Sequence, residues 1–155
     1  MKAVLLIAHG SRRAEANEDL EHVAAELRRR PKATFVTCSY LELAPPSIAD
    51  GGADCVAAGA TDVVMLPYFL SPGVHVREDL IEARAALASR FPEVQFRLAE
   101  PLGRHPLLIT IVAERIREAA DFIPSLLLRS GEGEPESIIQ PRSDPEPGTG
   151  ERPRV

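Results

Sequence analysis

The segment LLIAHGSRRAEAN, Leu5–Asn17, changes character twice within a few residues. An apolar run that opens at Lys2 stops on His9 and Gly10, two arginines follow, and a helical pattern then begins. A run without polar alternation, KAVLLIA, fits a strand covered on both faces, as in a parallel sheet. Leu20, Val23, Ala24 and Leu27 then recur at i, i+3, i+4 and i+7. Glu18, Asp19, Glu21, Glu26, Arg28 and Arg29 occupy the positions between them. This spacing predicts an amphipathic helix, ended by Pro31.

The same alternation of signals continues. Residues 33–43, ATFVTCSYLEL, are rich in β-branched and aromatic side chains and predict a second strand. Pro45, Pro46 and Ser47 open a short helix predicted to run to Ala58. Gly51 and Gly52 weaken it by about 1 kcal/mol each relative to alanine. Residues 61–70, TDVVMLPYFL, predict a third strand, and Leu80, Ala83 and Leu87 mark a helix over 75–90. Residues 93–100, EVQFRLAE, alternate in polarity and predict a fourth strand nearer an edge. Ile109, Val112, Ile116 and Ala119 mark a last helix from Pro106. The order βαβαβαβα predicts an α/β fold: a four-stranded parallel sheet with right-handed crossovers and helices on its faces.

Composition bounds what such a fold does. A chain of 155 residues supplies one domain with a real core. The net charge of −5 argues against a nucleic-acid footprint. No apolar stretch approaches the ~20 residues of a membrane helix. The N-terminal apolar run lacks a cleavage site after it and reads as a first strand rather than a leader. Cys38 and Cys55 make neither a disulfide framework nor a CxxC pair, so a cytoplasmic protein with reduced thiols is expected. From about residue 129 proline, glycine and charge dominate. The expected organisation is a domain over 1–122 and a disordered tail over 123–155.

In open α/β sheets, ligands bind beyond the carboxyl ends of the strands. Four loops there carry most of the unusual residues: HGSRR (9–13), ELAPPS (42–47), PYFLSPGVHVRED (67–79) and EPLGRHP (100–106). Taken singly, His9 reads as a cap on the sheet edge and His75 as a loop residue at a helix start. Strands one and three of a doubly wound sheet are often neighbours, which would set both imidazoles over one crevice. Two imidazoles suit Fe, Co, Ni, Cu or Zn and leave coordination positions open. Glu42, between Leu41 and Leu43, reads singly as an exposed loop carboxylate, or as an acid or base if the apolar flanks enclose it and raise its pKa. His105 simply begins the last helix, and His22 sits on the polar part of the first. Arg12, Arg13, Arg77 and Arg104 gather near these loops in an acidic chain and suggest an anionic ligand. Gly10 and Ser11, at the expected start of a helix, add backbone N–H groups of the kind that favour anions.

The pieces LLIAHGSR with Asn17, ELAPPSI, GATDVVMLPYFLSPGVHVREDL, and EPLGRHPLL followed by Arg115 resemble, in this order, the class II tetrapyrrole chelatases. The likeness is to the small single-domain, CbiX-type sirohydrochlorin cobaltochelatases and the related ferrochelatases, over roughly residues 2–120. It implies a flavodoxin-like, chelatase-like α/β/α fold of three layers. It also implies a lyase of cobalamin or siroheme biosynthesis that inserts a divalent metal into sirohydrochlorin. The metal, Co2+ first and Fe2+ or Ni2+ as alternatives, is then a substrate held by His9 and His75, with no organic cofactor. Glu42 matches the acidic residue of the ELA segment. Larger relatives have two such halves around one cleft, so a homodimer is implied here. The expected partner is a sirohydrochlorin-like tetrapyrrole, with neither nucleic acid nor membrane.

On this reading His9, His75 and Glu42 are catalytic. Ser11, Arg12, Arg13, Arg77 and Arg104 face the carboxylated rim, and Tyr68, Phe69 and Leu70 form an apolar wall against the ring. Gly51 and Gly52 depart from the family pattern. Two rivals remain. One is a carrier that binds metal and tetrapyrrole without turnover. The other is a histidine phosphatase, whose chemistry usually wants an arginine where this chain has Ala8.

Overall fold

The structure, a computed structural model, describes residues 1–30 and 35–119. In chain order these form β1 (Lys2–Ala8), α1 (Glu15–Arg28), β2 (Phe35–Tyr40), α2 (Ile48–Ala57), β3 (Asp62–Pro67), α3 (Val74–Arg90), β4 (Gln95–Leu98) and α4 (Pro106–Glu118). The chain divides into two compact units, Met1–Arg115 and Ile116–Val155. Of the second, only residues up to 119 are described, and the expected tail over 123–155 lies outside the described residues.

The sheet is parallel throughout, in the order β2-β1-β3-β4. β1 is central, with Leu6 level with Cys38 on one side and Leu66 on the other. That position explains its unbroken apolar sequence, because Leu5, Leu6 and Ile7 are all fully buried. Leu6 packs with Leu20 and Ala24 of α1 and with Val36, Cys38 and Tyr40 of β2. Leu5 and Ile7 face the other way, into a core completed by Ile48 and Cys55 of α2 and Leu80 and Leu87 of α3. β4 takes the edge, as its alternating sequence predicts, and Arg97 clasps Asp62 of β3 through two hydrogen bonds of 3.0 and 3.3 Å.

β1 forms over its predicted residues, whereas the other three strands are shorter than the sequence signals. β2 stops at Tyr40 because Leu43 takes a left-handed conformation (φ 66°), and the chain doubles back until Ser47 bridges to Tyr40. The last helix forms where expected, but Ile109 and Val112 on its apolar side remain exposed.

Gly51 and Gly52 are the clearest reversal. A Cβ at Gly51 would lie 2.0 Å from Ser39 Oγ and 2.8 Å from Leu5 Cδ1, and one at Gly52 would lie 2.5 Å from Leu87 Cδ2. The pair lets α2 settle directly on β1, β2 and α3, so the loss of helix propensity is traded for close packing.

Two outcomes follow from this packing. Gly51→Ala is expected to lower the urea unfolding midpoint, at a cost of about 1–3 kcal/mol, because the buried Ser39 has nowhere to move. Gly52→Ala meets the Cδ and Cγ atoms of the buried Leu87 but no closer backbone or polar atom, and it regains about 1 kcal/mol of helix propensity, so it is expected to be milder. Equal losses would contradict the packing account. Burial also pushes the thiols up from 9.0, Cys38 to about 12 and Cys55 to about 11. Above pH 9 the unfolded thiols ionise while the folded ones hold their protons, so stability present below pH 9 is lost as the pH rises towards 11. A Cys38→Ala/Cys55→Ala double variant is expected to show a shallower fall in unfolding midpoint over that range, and an identical fall would contradict it.

Candidate metal centre

From β1 the chain turns to α1 and β2 on one side, while β3 leads through α3 to β4 on the other. A crevice opens where such connections diverge, at the carboxyl ends of β1 and β3. The backbone ladder continues into it. Leu41 N–H donates to Ala8 O at 3.0 Å, Glu42 N–H to His9 O at 3.1 Å, and Tyr68 N–H to Ile7 O at 2.7 Å. Glu42 is thereby fixed beside His9 although β2 has already ended. Gly10 permits this approach: its φ is +92°, and a Cβ there would sit 2.0 Å from Glu42 O.

His9 Nδ1 lies 3.5 Å from Glu42 Oε1, with the two side chains 60% and 61% exposed. The apolar enclosure expected for Glu42 is therefore missing, and its neighbour Leu43 is itself exposed. With Nδ1 turned to the carboxylate, Nε2 is the ring nitrogen left for a metal, the usual carboxylate–histidine arrangement. Phe69 flanks the imidazole, the ring centroids 6.4 Å apart.

His9 and Glu42 line a cavity of about 350 Å3 with Leu41, Ile48, Val76 and Asp79. Asp79 was not singled out in the sequence, yet a signal for it was there. Val76, Asp79 and Ala83 recur at i, i+3 and i+7, the spacing of one helix face. His75 lies in the first turn of α3, on the same sheet edge as His9, with its side chain 96% exposed and Nδ1 3.7 Å from Glu78 Oε2. The two histidines thus share an edge, but only His9 lines the cavity. Among the described residues no group of three or more His, Cys, Asp or Glu is gathered so as to hold an ion. The arrangement is an open one rather than a closed cage.

The other expected residues divide. α1 begins at Glu15 rather than Ser11, and two of the loop amides are bonded within the loop: Ser11 N–H donates to Asn17 Oδ1 at 3.0 Å, and Ser11 Oγ accepts from Arg13 N–H at 3.1 Å. Ser11 therefore shapes its loop and leaves no spare N–H of its own for an anion. Arg12 is exposed, and Arg13 lines a shallow depression with Glu15 and Ala16, separate from the His9 cavity. Arg77 and Arg104 line a different, larger cavity with Glu100. His105 Nδ1 accepts from Leu107 N–H at 3.3 Å and so begins α4, and His22 is exposed on α1. Of the expected apolar wall, Tyr68 packs on the α1 side of the sheet, Phe69 on the opposite side, and Leu70 lines the cavity of Arg77 and Arg104.

The chain is similar in sequence and fold to known proteins. The chain is 35% identical over 120 residues to the chloroplastic sirohydrochlorin ferrochelatase of Arabidopsis thaliana, covering 77% of this chain and 53% of that protein. It is 32% identical over 121 residues to the sirohydrochlorin cobaltochelatase of Priestia megaterium, covering 78% and 39%. It thus spans about half, or less, of the length of these relatives. The sirohydrochlorin chelatase SirB of Bacillus subtilis subspecies spizizenii, solved in complex with cobalt, superposes with a TM-score of 0.69 at 29% identity, covering 77% of this chain and 51% of that one. The family model CbiX matches residues 3–119, most of the chain, and the protein belongs to the CbiX family.

Proposed function

We propose that this chain inserts a divalent metal, Co2+ or Fe2+, into sirohydrochlorin at the crevice between the ends of β1 and β3. The observation that carries the reading is the pairing of His9 with Glu42 at the switch point of a CbiX-family sheet. Relatives named for both metals support the substrate class and leave cobalt and iron as two arms of the same test.

In the reaction the ion exchanges its outer ligands for the four ring nitrogens. Two pyrrole N–H bonds break, and two protons leave as the metallated macrocycle forms. Such chemistry needs an ion held in few bonds, a base near the ring nitrogens and a wall for the ring. Nε2 of His9 holds the ion, oriented by Glu42 at Nδ1, and His75 supplies the second imidazole as the ring closes over the edge. Glu42 and Asp79 line the same cavity and are the bases within reach of the departing protons. The site is open to water, so the protons pass on to solvent. A homodimer, covering the edge with a second copy, supplies the half of the cleft that longer relatives carry in one chain.

The test is the absorbance change when sirohydrochlorin and Co2+ or Fe2+ are mixed with the protein. The wild type is expected to exceed the spontaneous rate clearly. His9→Ala is expected to lose most of that rate. Asp79→Asn is expected to lower kcat, with general-base loss worth up to about 100-fold, while KM for sirohydrochlorin stays close to the wild-type value. Binding of metal and macrocycle without turnover would establish the carrier reading instead. Full activity in His9→Ala would overturn the site. Sedimentation equilibrium is expected to give twice the chain mass, and a monomer at working concentration would refute the dimer.

A further inference from the structure

The cavity shared by Arg77 and Arg104 is used by none of the steps above. It measures about 820 Å3 and lies between α3 and the loops after β3 and β4, with Leu70, Leu80 and Leu98 among its apolar walls. Among the described residues neither guanidinium takes part in an ion pair or a side-chain hydrogen bond. Arg104 is also held in an unusual conformation, with φ at 66°. The cost of a left-handed φ at a residue with a Cβ persists only where the surroundings over-determine it. Here the loops after β3 and β4 are spliced together: Leu102 N–H donates to Phe69 O at 3.1 Å, and a Cβ on Gly103 would lie 1.8 Å from Leu70 O. The splice fixes Arg104 on the cavity wall opposite α3.

The same splice relates this cavity to His9. Phe69 lies against the His9 ring, and the next residue, Leu70, lines the arginine cavity. Two consecutive residues of one loop thus reach both places, one the His9 ring and the other the wall of the arginine cavity. Two arginines and Glu100 give the cavity one net positive charge, which matches a single carboxylate better than a doubly charged phosphate. Guanidinium forks fit carboxylates in plane, and the apolar walls accept the methylenes of a short carboxylated arm.

We propose that Arg77 and Arg104 form a carboxylate-binding subsite that holds one acidic arm of the macrocycle and so fixes its orientation over His9. The inference rests on the functional reading above and narrows it. Of the four arginines near the loops, these are the two that line one cavity together.

Arg104→Gly and Arg77→Gln test this. Glycine adopts φ 66° without strain, so the first variant keeps the loop geometry. Each is expected to raise both KM for sirohydrochlorin and its Kd, read by absorbance without metal, about tenfold, with kcat within about twofold of the wild type. Esterifying the carboxylates of sirohydrochlorin is expected to weaken wild-type binding while removing the difference between wild type and variants. Unchanged KM and Kd in both variants, alongside normal wild-type turnover, would overturn the subsite and leave the chelatase reading standing. A wild type that binds sirohydrochlorin but inserts no metal would overturn the chelatase reading, and the Kd series would still decide the subsite.

Discussion

The site depends on the closeness of two backbones, Gly10 and Glu42. β1 is the central strand of a parallel sheet, so all its neighbours end on the same edge. That edge becomes a chemical site because the ladder runs on past β2, tying Glu42 N–H to His9 O, and because residue 10 has no side chain to hold the loops apart. Any Cβ at position 10 would strike Glu42 O and face an unfavourable φ as well. The imidazole that ends the buried strand is thus presented to solvent with its carboxylate partner already in place. The pairing is held by the main-chain bond from Glu42 N–H to His9 O and by the close approach at Gly10.

Much of the fold was readable in the sequence, and the physical reason is periodicity. β1 is unbroken because neighbours cover it on both sides, and β4 alternates because it is an edge strand. Leu20 and Ala24 announce α1 because one stripe of that helix is buried. What the sequence misled on is what depends on a neighbour distant in the chain. Gly51 and Gly52 read as defects of α2, since helix propensity takes no account of Ser39 and Leu87 pressed against them. Glu42 read as an enclosed acid, since its flanking leucines suggest burial that the left-handed turn at Leu43 undoes. Ser11 read as the start of a helix, since its partner Asn17 lies six residues on and holds the loop outside the helix.

The candidate site was legible in its parts and less so in its grouping. His9 and Glu42 come together as the loop reading implies, while His75 stays on the same edge without lining the cavity. Asp79 takes its place there, because the face of α3 that turns inward carries Val76, Asp79 and Ala83. The arginines divide by the same logic of loops and faces. Arg13 stands just before α1, whereas Arg77 and Arg104 line one cavity together with Leu70. The edge thus carries the His9–Glu42 pair and the two arginines, joined by two consecutive residues of one loop.

The central claim is that His9 receives the metal. Crystals of the protein soaked in Co2+ and measured at the cobalt absorption edge test it most directly. An anomalous peak within about 2.3 Å of His9 Nε2, with Glu42 still beside Nδ1, is the result this account predicts. Cobalt bound only at His22 or His105, with His9 empty, would contradict it.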